Sequence, residues 1–226
     1  MSIPIIVISL PNAKYRRDNI EVQSRVWGLR MTILDATDGR ILDLNELVKL
    51  KILNGNAVKH AQMHQGDLGC YLSHYRALEA IEKTGQPIGM IMEDDFKIMD
   101  EWKNLSEYLK NIPKDIDWDF IYLGYNTPYG KQLNNWWILG QNTNLMGLNS
   151  GAWAYLVNAS SIPKLKKLFI PINKHCERDV LVRNLIGKKI TALFTTKKLV
   201  AHEPVFGSNR KELNIKKPLN YYNKLF

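Results

Sequence analysis

Only two cysteines, Cys70 and Cys176, occur in the 226 residues. A chain of this length buries enough apolar surface to do without cross-links, so a disulfide scaffold is excluded and a reducing compartment is expected. Neither cysteine has histidine partners at zinc spacing, which argues against a structural zinc site. No apolar run approaches the roughly 20 residues of a membrane-spanning helix. The longest, Ile3 to Leu10, is far too short and has no basic residue ahead of it, so it also fails as a signal peptide. A soluble, cytoplasmic protein is expected, or an excised or viral domain. Gly-x-Gly-x-x-Gly, a Gly-rich phosphate loop followed by Lys, and Gly-x-Ser-x-Gly are all missing. Rossmann dehydrogenase, kinase and α/β-hydrolase readings lose support with them. There is no repeat, low-complexity tract or Gly/Ser linker, so residues 1–226 read as one domain.

What is present is an ordinary globular composition, 45% hydrophobic and 23% charged, with a basic excess of +9. That excess favours anionic partners without choosing among nucleic acid, phosphate-bearing small molecules and a membrane surface. Lys197, Lys198, Arg210, Lys211, Lys216 and Lys217 enrich the end of the chain in positive charge. This basic C-terminal segment suits a peripheral membrane association.

Strand and helix patterns alternate. Ile3 to Ser9 reads as a buried strand, followed by a helix from about Ala13 to Trp27 that Asn12 caps and Gly28 ends. Met31 to Leu34 is a second strand, and Leu44 to Leu53 a helix candidate. Gly66 to Lys83 carries a helical apolar stripe of Leu68, Leu72, Tyr75, Leu78 and Ile81. Pro87 to Met92, Phe120 to Leu123, Ala152 to Val157 and Ile190 to Val200 read as strands. Helices are expected over Trp102 to Asn111, after Ser161, and over Asp179 to Ile186. The fold class is α/β, with a mostly parallel central sheet flanked by helices. Ligands of such sheets bind beyond the carboxyl ends of the strands.

Several polar groups fall at those ends. Glu93-Asp94-Asp95 follows an apolar strand directly, and three adjacent carboxylates call for a positive charge, which a hard divalent cation supplies. Strand alternation would aim Glu93 and Asp95 one way and Asp94 the other. Arg16 and Arg17 follow the first strand and suit phosphate. Asp35 and Asp38 offer a ribose or base contact, or an Asx turn before Gly39. In Gly66-Asp67-Leu68-Gly69-Cys70-Tyr71-Leu72-Ser73-His74 the glycines allow close backbone approach at a helix start, with Ser73 and His74 two turns in. Trp136, Trp137 and Trp153 suit either sugar stacking or packing. His202 follows the last expected strand.

Taken in order, Ile6-Val7-Ile8-Ser9-Leu10 with Arg16-Arg17, Asp35-Ala36-Thr37-Asp38-Gly39, the segment from Gly66 to His74, and Met92-Glu93-Asp94-Asp95 resemble glycosyltransferase family 25. That family includes bacterial lipopolysaccharide glycosyltransferases and the domains of collagen galactosyltransferases. The likeness is strong through Asp95 and looser beyond it, where Ser150 to Val157 looks like the family's Gly-then-Tyr strand.

The resemblance implies a GT-A type fold in which 1–100 is the nucleotide-sugar-binding half and 101–226 the acceptor-binding half. It implies a UDP-hexose donor, Mn2+, and inverting transfer of a galactosyl or glucosyl group to a glycan or hydroxylysine-type acceptor, in lipopolysaccharide biosynthesis or collagen glycosylation. On that basis Arg16, Arg17, Asp35, Ala36, Ser73 and Asp94 are donor-binding candidates. Glu93, Asp95 and His202 are metal-ligand candidates, and Asp179 is the candidate catalytic base, with Glu177 as its rival. Nucleic acid is not expected as a partner. The competing reading is a catalytically inactive, basic nucleotide- or nucleic-acid-binding module, which would gain nothing from three carboxylates at the ligand edge.

Overall fold

A computed structural model describes residues 3–206. The basic positions Arg210, Lys211, Lys216 and Lys217, on which the membrane-surface expectation rests, lie outside the described residues. Among the described residues, no helix is long and apolar enough to cross a membrane.

An eight-stranded sheet forms the centre. Its strands are β1 (Ile5–Ser9), β2 (Met31–Asp35), β3 (Ile88–Glu93), β5 (Phe120–Gly124), β6 (Gly130–Gln132), β7 (Trp137–Gly140), β8 (Ala154–Asn158) and β9 (Ala192–Thr195). Their order is β2-β1-β3-β8-β5-β9-β7-β6. The sheet is mostly parallel in sense: β2, β1, β3, β5, β9 and β6 run one way, and β8 and β7 run against them. β8 lies between β3 and β5, so strands from both halves of the chain share one sheet. A small second sheet pairs β4 (Phe96–Ile98) with β10 (Val200–His202).

Strand alternation divides the core into two layers. Ile6, Ile8, Ile91, Tyr155 and Phe194 pack on one face with α4 (Gln65–Lys83) and α6 (Ile162–Phe169). Ile5, Val7, Met90, Met92, Leu156 and Leu193 pack on the other with Ile20 of α1 (Lys14–Trp27) and Tyr108 of α5 (Leu105–Lys110). A sheet buried on both faces explains why β1 and β5 read as continuous apolar runs.

Several boundaries differ from the sequence reading. Asn12 is not the cap of α1: Ala13 holds that position and no side chain caps it, while Gly28 ends the helix with φ 62° as expected. The helix expected over Leu44 to Leu53 is only α2 (Leu44–Lys49), capped by the Asp43 carboxylate. Lys51 turns with φ 57°, and Leu53 forms a bridge with Ile172. A separate short helix, α3 (Val58–Met63), precedes α4. The Ser161 side chain makes no cap bond to α6; Asn158 caps the 3-10 turn before it. The last expected strand is two strands in two sheets, β9 and β10, and His202 lies within β10 rather than after a strand. β4, β6 and β7, three to four residues each, give too little periodicity to be seen in sequence. Helix α7 spans Arg178–Leu185.

Candidate active site

The ends of β1, β2 and β3 open on a cleft of about 490 Å³. Parallel pairing brings Ser9, Asp35 and Glu93 to one edge of the sheet. Because β8 runs the other way, its leading residue Trp153 stands at that same edge and lines the cleft. Arg16, one turn into α1, reaches back into it. The two-stranded sheet carries His202 there: it pairs with Phe96, and the Glu203 N–H donates to the Asp95 carbonyl over 2.7 Å.

Within the acid triplet strand alternation does not hold, because β3 ends at Glu93 and Asp94-Asp95 form the turn into β4. Asp94 and Asp95 share Arg16, while Glu93 has other partners. Glu93 Oε1 lies 3.1 Å from His74 Nε2, and His74 is fully buried with Nδ1 2.9 Å from the Tyr155 hydroxyl. Cys70 Sγ lies 4.0 Å from the same Glu93 oxygen. Asp94 accepts from Ser9 Oγ at 2.7 Å and from Arg16 at 2.5 Å. Asp95 Oδ2 lies 3.3 Å from Arg16 and 3.5 Å from His202 Nε2. Glu93 thus contacts His74 and Cys70, while Asp95 contacts Arg16 and His202, and all three carboxylates line the cleft.

The electrostatics follow from this packing. Burial pushes the Asp94 carboxyl above the ordinary carboxylate range, against the opposing pull of Arg16 and Ser9. Burial raises Asp95 as well, the neighbouring Glu93 charge adds to the effect, and Arg16 and His202 oppose it. Asp95 Oδ1 is buried and has no hydrogen-bond partner among the described residues. A buried carboxylate oxygen without a partner needs an explanation, and an oxygen-seeking divalent cation provides one. Its imidazole neighbour, His202, stacks on Trp153 with ring centroids 5.4 Å apart. Asp95 and His202 thus offer a carboxylate and an imidazole that fit a divalent metal, whereas Glu93 is grouped with His74 and Cys70 instead.

The remaining candidates separate into cleft residues and supports. Arg16 lines the cleft, whereas Arg17 braces the end of β1. Its guanidinium donates to the Ser9 and Leu10 carbonyls over 3.0 Å each and to Asp35 over 2.6 Å. Asp35 spends its carboxylate on that contact and, like Arg17, is not among the lining residues. Ala36 lines the cleft, and its N–H donates to the Ser9 carbonyl. Ser73 also borders it, but its hydroxyl donates to the Gly69 carbonyl at 2.7 Å and accepts the Thr37 N–H at 2.8 Å. That hydroxyl pins the loop after β2 onto α4. The close approach expected of the glycines is to this loop: a Cβ on Gly69 would come within 2.5 Å of the Gly39 nitrogen, and one on Gly39 within 1.7 Å of the Gln65 carbonyl. Asp38 is held by Arg40 at 2.7 Å. Thr37, Arg40, His74 and Cys70 line the cleft although sequence reasoning gives them no role.

Asp179 lies outside these lining residues. Its Oδ2 accepts the Gly151 N–H at 2.8 Å, and its Oδ1 lies 3.2 Å from Arg178. Arg178 is buried, with its guanidinium 4.5 Å from the centre of the Tyr155 ring. Close to the Gly66 rim of the cleft, His60, His64, His175, Asp67 and Glu177 gather into overlapping groups of metal-capable side chains. The expectation that the cysteines lack such partners does not hold for Cys70, which with His74 and Glu93 offers ligand atoms within 4.8 Å of one another. A signal for the histidine cluster does exist in His60-Ala61-Gln62-Met63-His64, two histidines one helical turn apart.

The profile described as "Glycosyltransferase family 25 (LPS biosynthesis protein)" matches residues 2–139, more than half of the chain. The chain belongs to glycosyltransferase family 25. The matched stretch takes in Arg16, Asp35 to Gly39, Ser73 and the Glu93–Asp95 triplet, but not Trp153, Asp179 or His202. Among curated family 25 relatives, procollagen galactosyltransferase 2 of Homo sapiens is 26% identical over 195 residues, 76% of this chain and 30% of that protein. A glycosyltransferase 25 family member of Aedes aegypti is 27% identical over 167 residues, 71% of this chain and 27% of its own length. A probable inactive glycosyltransferase 25 family member 3 of Rattus norvegicus is 30% identical over 128 residues, 53% of this chain and 22% of that protein. The chain thus spans less than a third of the length of these relatives. A solved glycosyltransferase involved in glycosylation of the PBCV-1 major capsid aligns with 93% of this chain and 95% of its own, at 10% identity and a TM-score of 0.49.

Proposed function

We propose that this chain transfers a hexose from a UDP-sugar to an acceptor hydroxyl, with inversion and with a divalent cation, Mn2+, in the cleft. The observation that carries the reading is the buried, partnerless Asp95 Oδ1, set beside Arg16 and His202 where three parallel strands end. Family membership points the same way. Asp95 and His202 would hold the ion, joined by Glu93 once it swings away from His74. An imidazole among carboxylates suits manganese better than magnesium, which favours all-oxygen sites. When bound, such an ion offsets the negative charge that develops on the departing diphosphate.

The protein's own residues do the rest. Arg16 holds Asp94 and Asp95 in place and adds positive charge beside the diphosphate. Ser9 fixes the second oxygen of Asp94. Ala36 and Thr37, anchored to β1 and to Ser73, wall the cleft for the nucleoside, and Arg17 with Asp35 keeps the end of β1 in position behind them. Trp153 offers a flat apolar face to a sugar ring. Asp179, held at the start of α7 by the Gly151 N–H and Arg178, is the candidate base: with an acceptor bound, its carboxylate would take the hydroxyl proton while the hydroxyl oxygen bonds to the anomeric carbon and the bond to the diphosphate breaks. The names of the relatives suggest galactose as the sugar and a collagen-type hydroxyl as acceptor, and the family description suggests a lipopolysaccharide glycan.

The test is thermal melting with UDP, with and without Mn2+, on wild type and Asp95→Asn. Ligand at about 100 times its dissociation constant stabilises by ~2.7 kcal/mol, a rise of roughly 5–10 °C for a domain of this size. Wild type should show that rise only with both ligands, and Asp95→Asn should not show it. Equal shifts in the two proteins remove Asp95 from the site. A screen of UDP-sugars for UDP release then identifies the donor.

A further inference from the structure

Three of the five histidines lie together away from the acid triplet, where α3 and the start of α4 meet the segment 173–177 ahead of α7. Chain segments far apart in sequence are joined beside it: Leu53 bridges Ile172, and the Asn54 N–H donates to the Ile172 carbonyl over 2.9 Å. The His60 and His64 rings stack with centroids 4.3 Å apart, and His175 meets His60 edge-on at 5.3 Å. Glu177 Oε1 is 3.6 Å from His60 Nε2 and 3.8 Å from His64 Nδ1. One potential ligand atom from each of His60, His175 and Glu177 lies within 4.8 Å of the others.

We infer that His60, His175 and Glu177 form a binding site for one divalent transition-metal ion of the zinc class, independent of the donor-site cation. Two observations beyond proximity support it. His60 Nδ1 and Glu177 Oε2 are buried and lack a hydrogen-bond partner among the described residues. The 3.6 Å gap between His60 Nε2 and Glu177 Oε1 is too long for a hydrogen bond. Two imidazoles with one carboxylate are a donor set for a borderline cation, not for calcium or magnesium. His64, 3.4 Å from Asp67 Oδ2, stands next to the site as a fourth donor or as an outer partner. An ion here would tie the α3–α4 corner to the segment that leads into Asp179.

The experiment uses the purified chain stripped with chelator and titrated with Zn2+ by calorimetry, and with Co2+ by absorption. Wild type should bind one zinc equivalent that Asp95→Asn retains. Co2+ should give the intense visible bands of a low-coordinate nitrogen-oxygen site. His175→Gln and Glu177→Gln should each weaken zinc binding on the order of a hundredfold or more, beyond the usual 10–100-fold cost of losing an outer partner. The double variant His60→Gln/His175→Gln should abolish it. Circular dichroism checks that each variant is folded. Should one fail to fold, the remaining single variants and the cobalt spectrum of wild type decide. Absence of zinc binding in wild type overturns the proposal, as does zinc affinity unchanged in folded His175→Gln and Glu177→Gln. Loss of the bound zinc in Asp95→Asn would place the ion in the donor cleft and overturn it as well.

Discussion

The carboxylate corner at Glu93–Asp95 and the imidazole corner at His60–Glu177 use the same kinds of side chain but are assembled differently. The first is local: three consecutive residues at the end of one buried strand, served by Arg16 from the helix that follows the neighbouring strand. The second is long-range, closing only when a short helix meets a segment more than a hundred residues later. In the first, a protein cation already offsets part of the acid charge, and the partnerless Asp95 oxygen remains to be satisfied. In the second, the short contacts run from imidazole to imidazole and from imidazole to carboxylate. The first arrangement suits an ion that arrives with an anionic ligand. The second suits an ion that stays.

The largest test of this division is at Asp179, two residues beyond Glu177 of the imidazole corner. If Asp179 moves the proton while the acid corner only holds donor, Asp179→Asn should lower kcat by about 10²–10⁴-fold. UDP affinity in the presence of Mn2+ should stay within about twofold. Asparagine can still accept the Gly151 N–H, so the turn is kept. A kcat within a factor of a few of wild type would make Asp179 a support for that turn.

Next in size is the loss of the built-in cation. Arg16→Ala leaves Asp94 and Asp95, both mostly buried, without their shared guanidinium. Breaking one side of a buried ion pair costs about 3–5 kcal/mol. Urea unfolding at neutral pH should register a loss of that order, and added Mn2+ should recover part of it by binding the same carboxylates. A loss under about 1 kcal/mol would mean that Arg16 does not neutralise this corner. Arg17→Ala is the smaller counterpart. Arg17 and especially Asp35 are partly open to solvent, and the substitution removes an exposed ion pair and two hydrogen bonds to backbone carbonyls. The expected cost is about 1 kcal/mol, with the Michaelis constant for donor nearly unchanged. A large rise in that constant would return Arg17 to the donor site, where the sequence alone places it.

That pair of arginines shows how far the sequence can be read. Adjacent helix positions point in different directions, so the sequence locates both at the ligand edge but does not say which one faces it. β1 and β3 are legible because each is a buried apolar run with a clear stop, Pro11 after the first and the acid triplet after the second, while the less buried β2 shows through Met31, Ile33 and Leu34. The antiparallel pair β6 and β7 is not, each strand being only three or four residues long. Strand periodicity predicts a shared face for Glu93 and Asp95, but the strand stops at Glu93 and a turn takes over. Only the resemblance puts His202 near the acids. What brings it there is the pairing of β10 with β4, two three-residue strands that no local pattern announces. The imidazole corner leaves a trace in the four-residue spacing of His60 and His64, but its other members come from a loop, and spacing cannot bring a loop to a helix.

The smallest expected effect is a pH dependence that differs in sign between the ligand-free and the loaded acid corner. Asp94 and Asp95 both hold their protons more tightly in the folded chain than in the unfolded one, chiefly because burial penalises their charge. Between the ordinary carboxylate range and the raised folded values, the folded state therefore binds more protons than the unfolded state. Stability from these groups must fall as pH rises through that window. Below the ordinary range both states are protonated and the contribution levels off. Asp95→Asn removes one such group. In chelator, the variant should melt at or above wild type at about pH 8, and that advantage should shrink toward about pH 5. With Mn2+ and UDP the order should invert at neutral pH, because the loaded wild type needs Asp95 ionised and the variant cannot supply that charge. Melting curves at several pH values, with and without the ligands, decide it. An advantage that grows as pH falls in chelator would mean that the charge of Asp95 stabilises the empty fold, and that Arg16 already serves it without help from an ion.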